Sequence, residues 1–285
     1  MKRIAIVTDT NSGLTPQEAG ARGIYLVAMP YLMDGQQYYE HRDLTMEEFF
    51  CRQSQGAQIS TSQPSPGDVM AVWDEALEEY EKLIYIPMSS GLSSSCATAK
   101  VLAQQYDGRV LVADNRRISV PQACSALQAV RMARDGLEAE EICRRLEEEG
   151  LKASIYVCVG NLNYLKKGGR ITPAVAALGT VLDIKPVLQI QGGKLDSYKK
   201  VRGMKQARKC LVDAVRDDLA GRFAGRDTQL AIAYSGTPEV GEEWLDYVQR
   251  EFPQRSVKKG VLPISISCHV GPGTLGIGLV ERTYP

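Results

Sequence analysis

The chain has 285 residues, of which 34 are basic and 34 acidic, so its formal net charge is zero and a general nucleic-acid binder is disfavoured. Hydrophobic content of 44% and charged content of 24% fit an ordinary globular protein of one large or two average domains. Seven scattered cysteines without a C-x-x-C pair, and only two histidines, argue against a disulfide framework or a metal site and for reduced thiols in the cytoplasm.

The N-terminal apolar run Ile4-Ala5-Ile6-Val7 is too short for a signal-peptide core and reads as a first strand, Arg3–Thr8. No stretch has the length of a transmembrane helix. Further strands are expected at Ile24–Ala28, Leu83–Pro87 and Arg109–Ala113, each a short run rich in Ile, Val or Leu. Helices are expected at Met46–Gln55, Pro66–Lys82, Leu92–Gln105, Pro121–Arg134 and Ala139–Glu149. The second of these has a well-formed start, with Ser65 as cap, Pro66 at the first position and Asp68 in the first turn. Strands and helices alternating at this spacing imply a largely parallel sheet covered on both faces.

Near residue 150 the pattern changes. A strand at Ser154–Val159 is followed by a hairpin, Val187–Ile190 and Leu195–Lys200 about a Gly192-Gly193 turn. A helix at Gly203–Leu219, a strand at Leu230–Tyr234, a helix at Glu239–Glu251 and strands near Ser256–Lys259 and Leu275–Val280 complete the chain. The expected fold class is α/β in two domains. Residues 1–152 form an N-terminal domain with a mostly parallel sheet and flanking helices, and residues 153–285 a C-terminal domain with a mixed sheet.

Two hydroxyl-rich segments stand out, Thr61-Ser62-Gln63-Pro64-Ser65 and Ser89-Ser90-Gly91-Leu92-Ser93-Ser94-Ser95. Each is placed where a loop feeds a helix, and a helix start offers unpaired N–H groups and a positive dipole end to an anion. Ser and Thr also favour ordinary caps and turns, so either segment alone is open to that plainer reading. The second follows the strand ending at Pro87, where ligands sit in open parallel sheets. His269, beside a glycine-rich loop, could complete a carboxylate cup or be a structural histidine. That loop, Gly271-Pro272-Gly273-Thr274-Leu275-Gly276, has the letters of a dinucleotide fingerprint but lacks the strand–turn–helix context, so it is taken to line a nearby site. Between Lys166 and Lys209 stand eleven Lys or Arg against Asp183 and Asp196 alone, a block that reads as a solvated helix face or as a docking surface for an acidic partner or phosphate groups, with Arg170 presented by the turn glycines Gly168 and Gly169.

Several of these segments, in order, resemble one family. Thr8-Asp9-Thr10-Asn11-Ser12 is similar to its early T-D-S/T-x-S loop, Thr61-Ser62-Gln63-Pro64-Ser65 to its T-S-Q-P-S element, and Met88-Ser89-Ser90-Gly91-Leu92-Ser93 to its I-S-S-x-L-S element. Leu162–Ile171 resembles L-x-Y-L-x-K-G-G-R-I, and Leu182–Leu188 resembles L-x-I-K-P-x-L; a weaker match runs through Arg202 and His269. The family is DegV, the bacterial fatty-acid-binding proteins. Ser94-Ser95-Cys96 departs from its usual Gly-Thr-Tyr, and Val120-Pro121 stands where glycines are common.

The resemblance implies one long-chain fatty acid in a tunnel between two α/β domains. Its carboxylate would be held by Thr61 and Ser93, with Ser62, Ser94 and His269 nearby. It further implies a non-enzymatic carrier, without catalytic residue, metal or cofactor, that presents the acid to an ATP-dependent fatty acid kinase for conversion to acyl phosphate. Arg170 and Arg202 would then lie on the surface that meets the kinase. Burial of roughly 0.8 kcal/mol per methylene supplies affinity, while hydroxyls offset the desolvation of the carboxylate. A competing reading is a stand-alone hydrolase or transferase acting on an acyl or phosphate ester through Ser93 or Ser235 with His269.

Overall fold

A computed structural model describes residues 2–168, 184–193 and 195–284. In its first part the chain runs β1 (Lys2–Asp9), α1 (Pro16–Gly20), β2 (Ile24–Val27), β3 (Pro30–Met33), β4 (Gln36–Tyr39), α2 (Met46–Ser54), β5 (Ile59–Thr61) and α3 (Pro66–Glu79). It continues with β6 (Tyr80–Ile86), α4 (Ser95–Ala103), β7 (Val110–Val112), α5 (Val120–Arg134) and α6 (Ala139–Glu148). Strands β2, β1, β6 and β7 lie side by side, all parallel. Alternation along β1 sends Ile6 to one face, with Ile84, Ala126, Met132 and Ile142, and Ala5 and Val7 to the other, with Leu83, Trp73 and Leu102. A parallel sheet covered on both faces is what the spacing predicts.

The remaining elements are β8 (Ala153–Cys158), α7 (Leu162–Gly168), β9 (Ile184–Ile190), β10 (Leu195–Arg202), α8 (Gly203–Ala220), β11 (Thr228–Tyr234), α9 (Pro238–Glu251), β12 (Val257–Val261), α10 (Ile264–Val270) and β13 (Leu275–Glu281). They build a mixed sheet in the order β10-β9-β8-β13-β11-β12, antiparallel except for the β11–β12 pair. Tyr156, Ile232, Ile277 and Leu279 pack from one face of this sheet on α8 and α9, around the fully buried Trp244. The opposite face turns toward the first part of the chain, and Met29, Met88 and Ile118 meet Ile155, Ile190 and Ile266 across the seam.

The structure departs from expectation at several places. Helix α3 stops at Glu79 instead of Lys82, because Tyr80 and Lys82 are taken into β6 by pairing with Lys2 and Ile4 of β1. Helix α4 starts at Ser95, not Leu92, since residues 89–93 form their own turn, with the Leu92 and Ser93 N–H groups donating to the Ser89 carbonyl. A small antiparallel sheet, β4-β3-β5, and the helix α10 have no counterpart among the expected elements. Arg170, with the whole stretch from Gly169 to Asp183, lies outside the described residues.

Candidate functional site

Thr61 is the last residue of β5, and His269 lies in the last turn of α10. The small sheet brings them together. Ile264 and Cys268 of α10 bury against Tyr31 and Met33 of β3 and Phe49 of α2, which turns the next residue, His269, toward the end of β5. Thr61 Oγ1 and His269 Nε2 then lie 2.7 Å apart across 208 residues of sequence.

Opposite them stands the serine loop. Ser93 Oγ accepts from the Ser95 N–H at 3.1 Å and shares a hydrogen bond with Ser95 Oγ at 2.8 Å. Ser94 occupies the N-cap position of α4 yet makes no side-chain cap. Its hydroxyl donates instead to Gln63 Oε1 at 3.0 Å, as does Thr98 Oγ1 at 3.1 Å. The two helix starts therefore differ. At α3, Ser65 and Asp68 close a complete capping box, so that start serves its own helix, whereas α4 begins without one.

Behind these groups runs a cavity, open at its mouth, between the mixed sheet and the first part of the chain. Thr61, Ser62, Gln63, Ser93 and His269 line it, Ser94 does not, and the walls are formed by such residues as Met29, Leu92, Val157, Ile190 and Ile266. No Lys, Arg, Asp or Glu stands among the described residues that line it. Thr61, Gln63, Ser93 and His269 are half-buried and Ser62 is exposed, so the polar end meets solvent. Gln63 sits inside a segment that drew attention for its hydroxyls; its amide is visible as a site residue only once Ser94 and Thr98 are seen to fix it.

A second polar cluster secures α10; its Asp9, Thr10 and Asn11 belong to the early family motif, whereas Glu40, Gln122 and Ser265 carried no signal in the sequence. Glu40 Oε2 accepts from Thr10 Oγ1 at 2.8 Å and Ser265 Oγ at 3.1 Å, and Glu40 Oε1 accepts from the Ile264 N–H at the start of α10. Ser265 also donates to Asn11 Oδ1 at 2.8 Å, while Asp9 accepts from the Met88 and Asn11 N–H groups and from Gln122. Burial raises the Asp9 carboxyl from 3.8 to about 6 and the Glu40 carboxyl from 4.5 to about 7, against the lowering effect of these hydrogen bonds. Both groups thus keep a proton in the native state at pH values where the unfolded chain has lost it. Their contribution to stability is greatest in acid and falls as pH rises through about 6 and about 7. Glu40→Gln should flatten this trend: the drop in urea midpoint between about pH 5 and about pH 7.5 will be smaller in the variant than in the native chain.

The serines of the hydrolase reading are engaged elsewhere. Ser93 pairs with Ser95, while buried Ser235 donates to Ser267 Oγ at 3.2 Å and the Gly271 carbonyl at 2.8 Å. Ser235 thereby holds the glycine loop, whose Gly271, at φ 71°, packs so near the Tyr164 ring that a Cβ would come within 2.2 Å of it. Of the basic block, Lys166, Lys167, Lys199, Lys200, Arg202, Lys205 and Lys209 are exposed, but Lys185 is half-buried with Nζ on the Gly160 carbonyl at 2.6 Å. Arg202 closes the edge strand β10, and its N–H donates to Gln206 Oε1 at 3.0 Å. No helix among the described residues is long and apolar enough to cross a membrane, and no group of three or more His, Cys, Asp or Glu among them could hold a metal ion.

Comparison with known proteins gives the same family as the motifs. A DegV domain-containing protein of Deinococcus radiodurans is 31% identical over 280 residues, 97% of this chain and 98% of that protein. Among solved structures, a DegV family protein from Thermus thermophilus, described as fatty acid binding, is 31% identical with a TM-score of 0.87 over 98% of this chain and 99% of the other. A Thermotoga maritima protein described as revealing fatty acid binding function is 25% identical, with a TM-score of 0.82 over 99% of this chain and 100% of the other. The family model described as an uncharacterised protein of the DegV family matches residues 3–282, and the chain belongs to that family.

Proposed function

We propose that the chain carries one long-chain fatty acid in the cavity between an N-terminal unit, residues 1–152, and a C-terminal unit, residues 153–285. The carboxylate sits at the polar mouth, accepting hydrogen bonds from Thr61 and Ser93, with Ser62, His269 and the Gln63 amide beside it. Ser94 acts through Gln63. The observation that carries this reading is the lining itself, apolar along the walls, hydroxyl, amide and imidazole at one end, and without a cationic Lys or Arg among its described residues.

An apolar ligand with one small anionic head fits such a lining. The tail gains roughly 0.8 kcal/mol per buried methylene, and charge-assisted hydrogen bonds offset the desolvation of the head. The fatty acid binding described for the Thermus thermophilus and Thermotoga maritima proteins supports the assignment. Native mass spectrometry of the purified protein tests it. One bound fatty acid per chain is expected; ligand-free protein that turns over an ester would favour the hydrolase reading instead.

A carboxylate held by neutral donors at a solvent-facing mouth keeps its nucleophilic oxygen. We assign the chain a non-catalytic, cytoplasmic role as the acyl-carrying partner of an ATP-dependent fatty acid kinase. In that step a carboxylate oxygen attacks the γ-phosphorus of ATP on the partner, forming acyl phosphate and releasing ADP. Arg170 and Arg202 belong to the docking surface. Arg202→Ala should slow acyl phosphate formation with a cognate kinase about ten-fold, in keeping with the loss of an interfacial charge, while leaving bound lipid unchanged. Loss of the lipid itself would place Arg202 in the pocket.

A further inference from the structure

The face of the mixed sheet turned to the cavity is not uniform. Along β13 the odd residues Leu275, Ile277 and Leu279 enter the core beneath α8 and α9, so Gly276, Gly278 and Val280 face the other way, and all three line the cavity. On β11 the same alternation buries Leu230, Ile232 and Tyr234 in that core and turns Ala231 and Ala233 to the cavity. The two strands pair so that Ala231 stands opposite Gly278 and Ala233 opposite Gly276.

On the other side of β13, Ile155 and Val157 of β8 stand opposite Gly278 and Gly276, and Ile190 and Leu188 of β9 follow them. Two rows therefore cross the sheet, Ile190-Ile155-Gly278-Ala231 and Leu188-Val157-Gly276-Ala233. Each falls from branched side chains to almost none. The far bank is built by α5, whose Val120 reaches down to β12 so closely that a Cβ on Gly260 would lie 2.6 Å from its Cγ2. Gly260 is the β12 neighbour of Ala233. The result is a trough over β13 and β11, between the Ile155–Val157 ridge and Val120. It runs away from the α10 end of β13 toward Val280, a lining residue roughly 13 Å along the strand from Gly276.

We infer that the acyl chain lies in this trough, and that the Ala231–Gly278 pair and Val280 set the length of chain accepted. The inference rests on the fatty-acid reading of the cavity. The two small-residue pairs have separate roles along the ligand. Ala233 and Gly276 underlie the carbons nearer the carboxylate, which every fatty acid has. Ala231 and Gly278 underlie the distal carbons, which only long ones have. A side chain at Gly278 would strike the Ser154 carbonyl at 2.7 Å, so that position cannot be filled without moving β8. Gly276 can be filled, since a Cβ there meets nothing nearer than 3.5 Å, and Ala231 already carries a Cβ on the cavity side.

The test is a pair of variants, Ala231→Leu and Gly276→Ala, with laurate and stearate as probes and binding measured by calorimetry on the full chain. Ala231→Leu should weaken stearate roughly ten-fold or more, as overpacking does, and leave laurate within about two-fold. Gly276→Ala should weaken both acids alike. Ile190→Ala, on the ridge side, should not change the ratio of the two. Equal effects of Ala231→Leu on laurate and stearate, or none on either, would overturn the trough assignment. A native chain that binds neither acid would instead overturn the fatty-acid reading, so the two failures are told apart. Unchanged thermal midpoints certify that the variants fold; should Ala231→Leu not fold, Val280→Ala replaces it, expected to favour acids longer than stearate, and an unaltered length preference there overturns the proposal.

Discussion

Thr61→Val combined with Ser93→Ala strips the bound fatty acid from the purified protein, seen as loss of the ligand-bound species in native mass spectra. Each change removes a hydroxyl from the half-buried mouth of the cavity without enlarging its apolar walls. A hydrogen bond to a charged group contributes about 1.5–3 kcal/mol, so losing two should weaken binding about 100-fold or more. The variant also removes the 2.7 Å contact between Thr61 Oγ1 and His269 Nε2, and His269 alone does not replace two hydroxyl donors. The fold should persist, since neither residue belongs to a core cluster, the α3 cap is Ser65, and Ser93→Ala removes only the bonds that Ser93 Oγ makes with the Ser95 N–H and hydroxyl at the start of α4. Retention of the lipid at native stoichiometry would mean that the head group is held elsewhere, most plainly at the Asn11–Ser265 cluster.

Trp244→Ala is expected to cause one of the two largest losses of stability, together with Trp73→Ala, the other fully buried tryptophan. Trp244 is fully buried, stacks on Tyr247 with ring centroids 5.6 Å apart, and donates from Nε1 to the Gly276 carbonyl at 2.8 Å. Truncation empties the core between α9 and the mixed sheet, at a cost of about 3–5 kcal/mol. It also leaves the Gly276 carbonyl without that donor, directly under the cavity floor. The urea midpoint should fall accordingly, and lipid affinity should fall with it. Trp73→Ala, on the α3 side of the parallel sheet, offers the contrast: a comparable loss of stability, with lipid affinity retained in the protein that remains folded. A change under about 1 kcal/mol for Trp244→Ala would show that the core collapses around the gap.

Much of this architecture is legible in the residues. Short Ile/Val/Leu runs mark β1, β2 and β6, and Ser65-Pro66 marks the start of α3, because these signals act over a few neighbouring positions. The elements that build the site are less visible. Strands β3, β4 and β5 are four, four and three residues long, too short for a periodic pattern. Around α10, Leu262-Pro263-Ile264-Ser265-Ile266-Ser267 alternates apolar and polar with the period of a strand. It is nevertheless helical, with Pro263 at the N-cap and the Glu40 carboxylate accepting the Ile264 N–H. Glu40 lies 224 positions away, so nothing local announces it. The extension of the expected helix back to Leu92 had a related cause: the turn at residues 89–93 is stabilised by its own hydrogen bonds, which propensity does not register.

By itself the sequence determined the α/β class, the order of most strands and helices, the two hydroxyl segments and the family motifs, since each is written in contiguous residues. Only the tertiary structure decided that Thr61 meets His269, that Ser94 turns to Gln63 instead of the cavity, and that alanines and glycines from β11 and β13 face one another beneath a trough. Those facts depend on strand register and on contacts between segments up to 254 residues apart, such as Asn11 with Ser265. Register and docking are set by burial of whole faces, a property of the folded assembly that no local window contains.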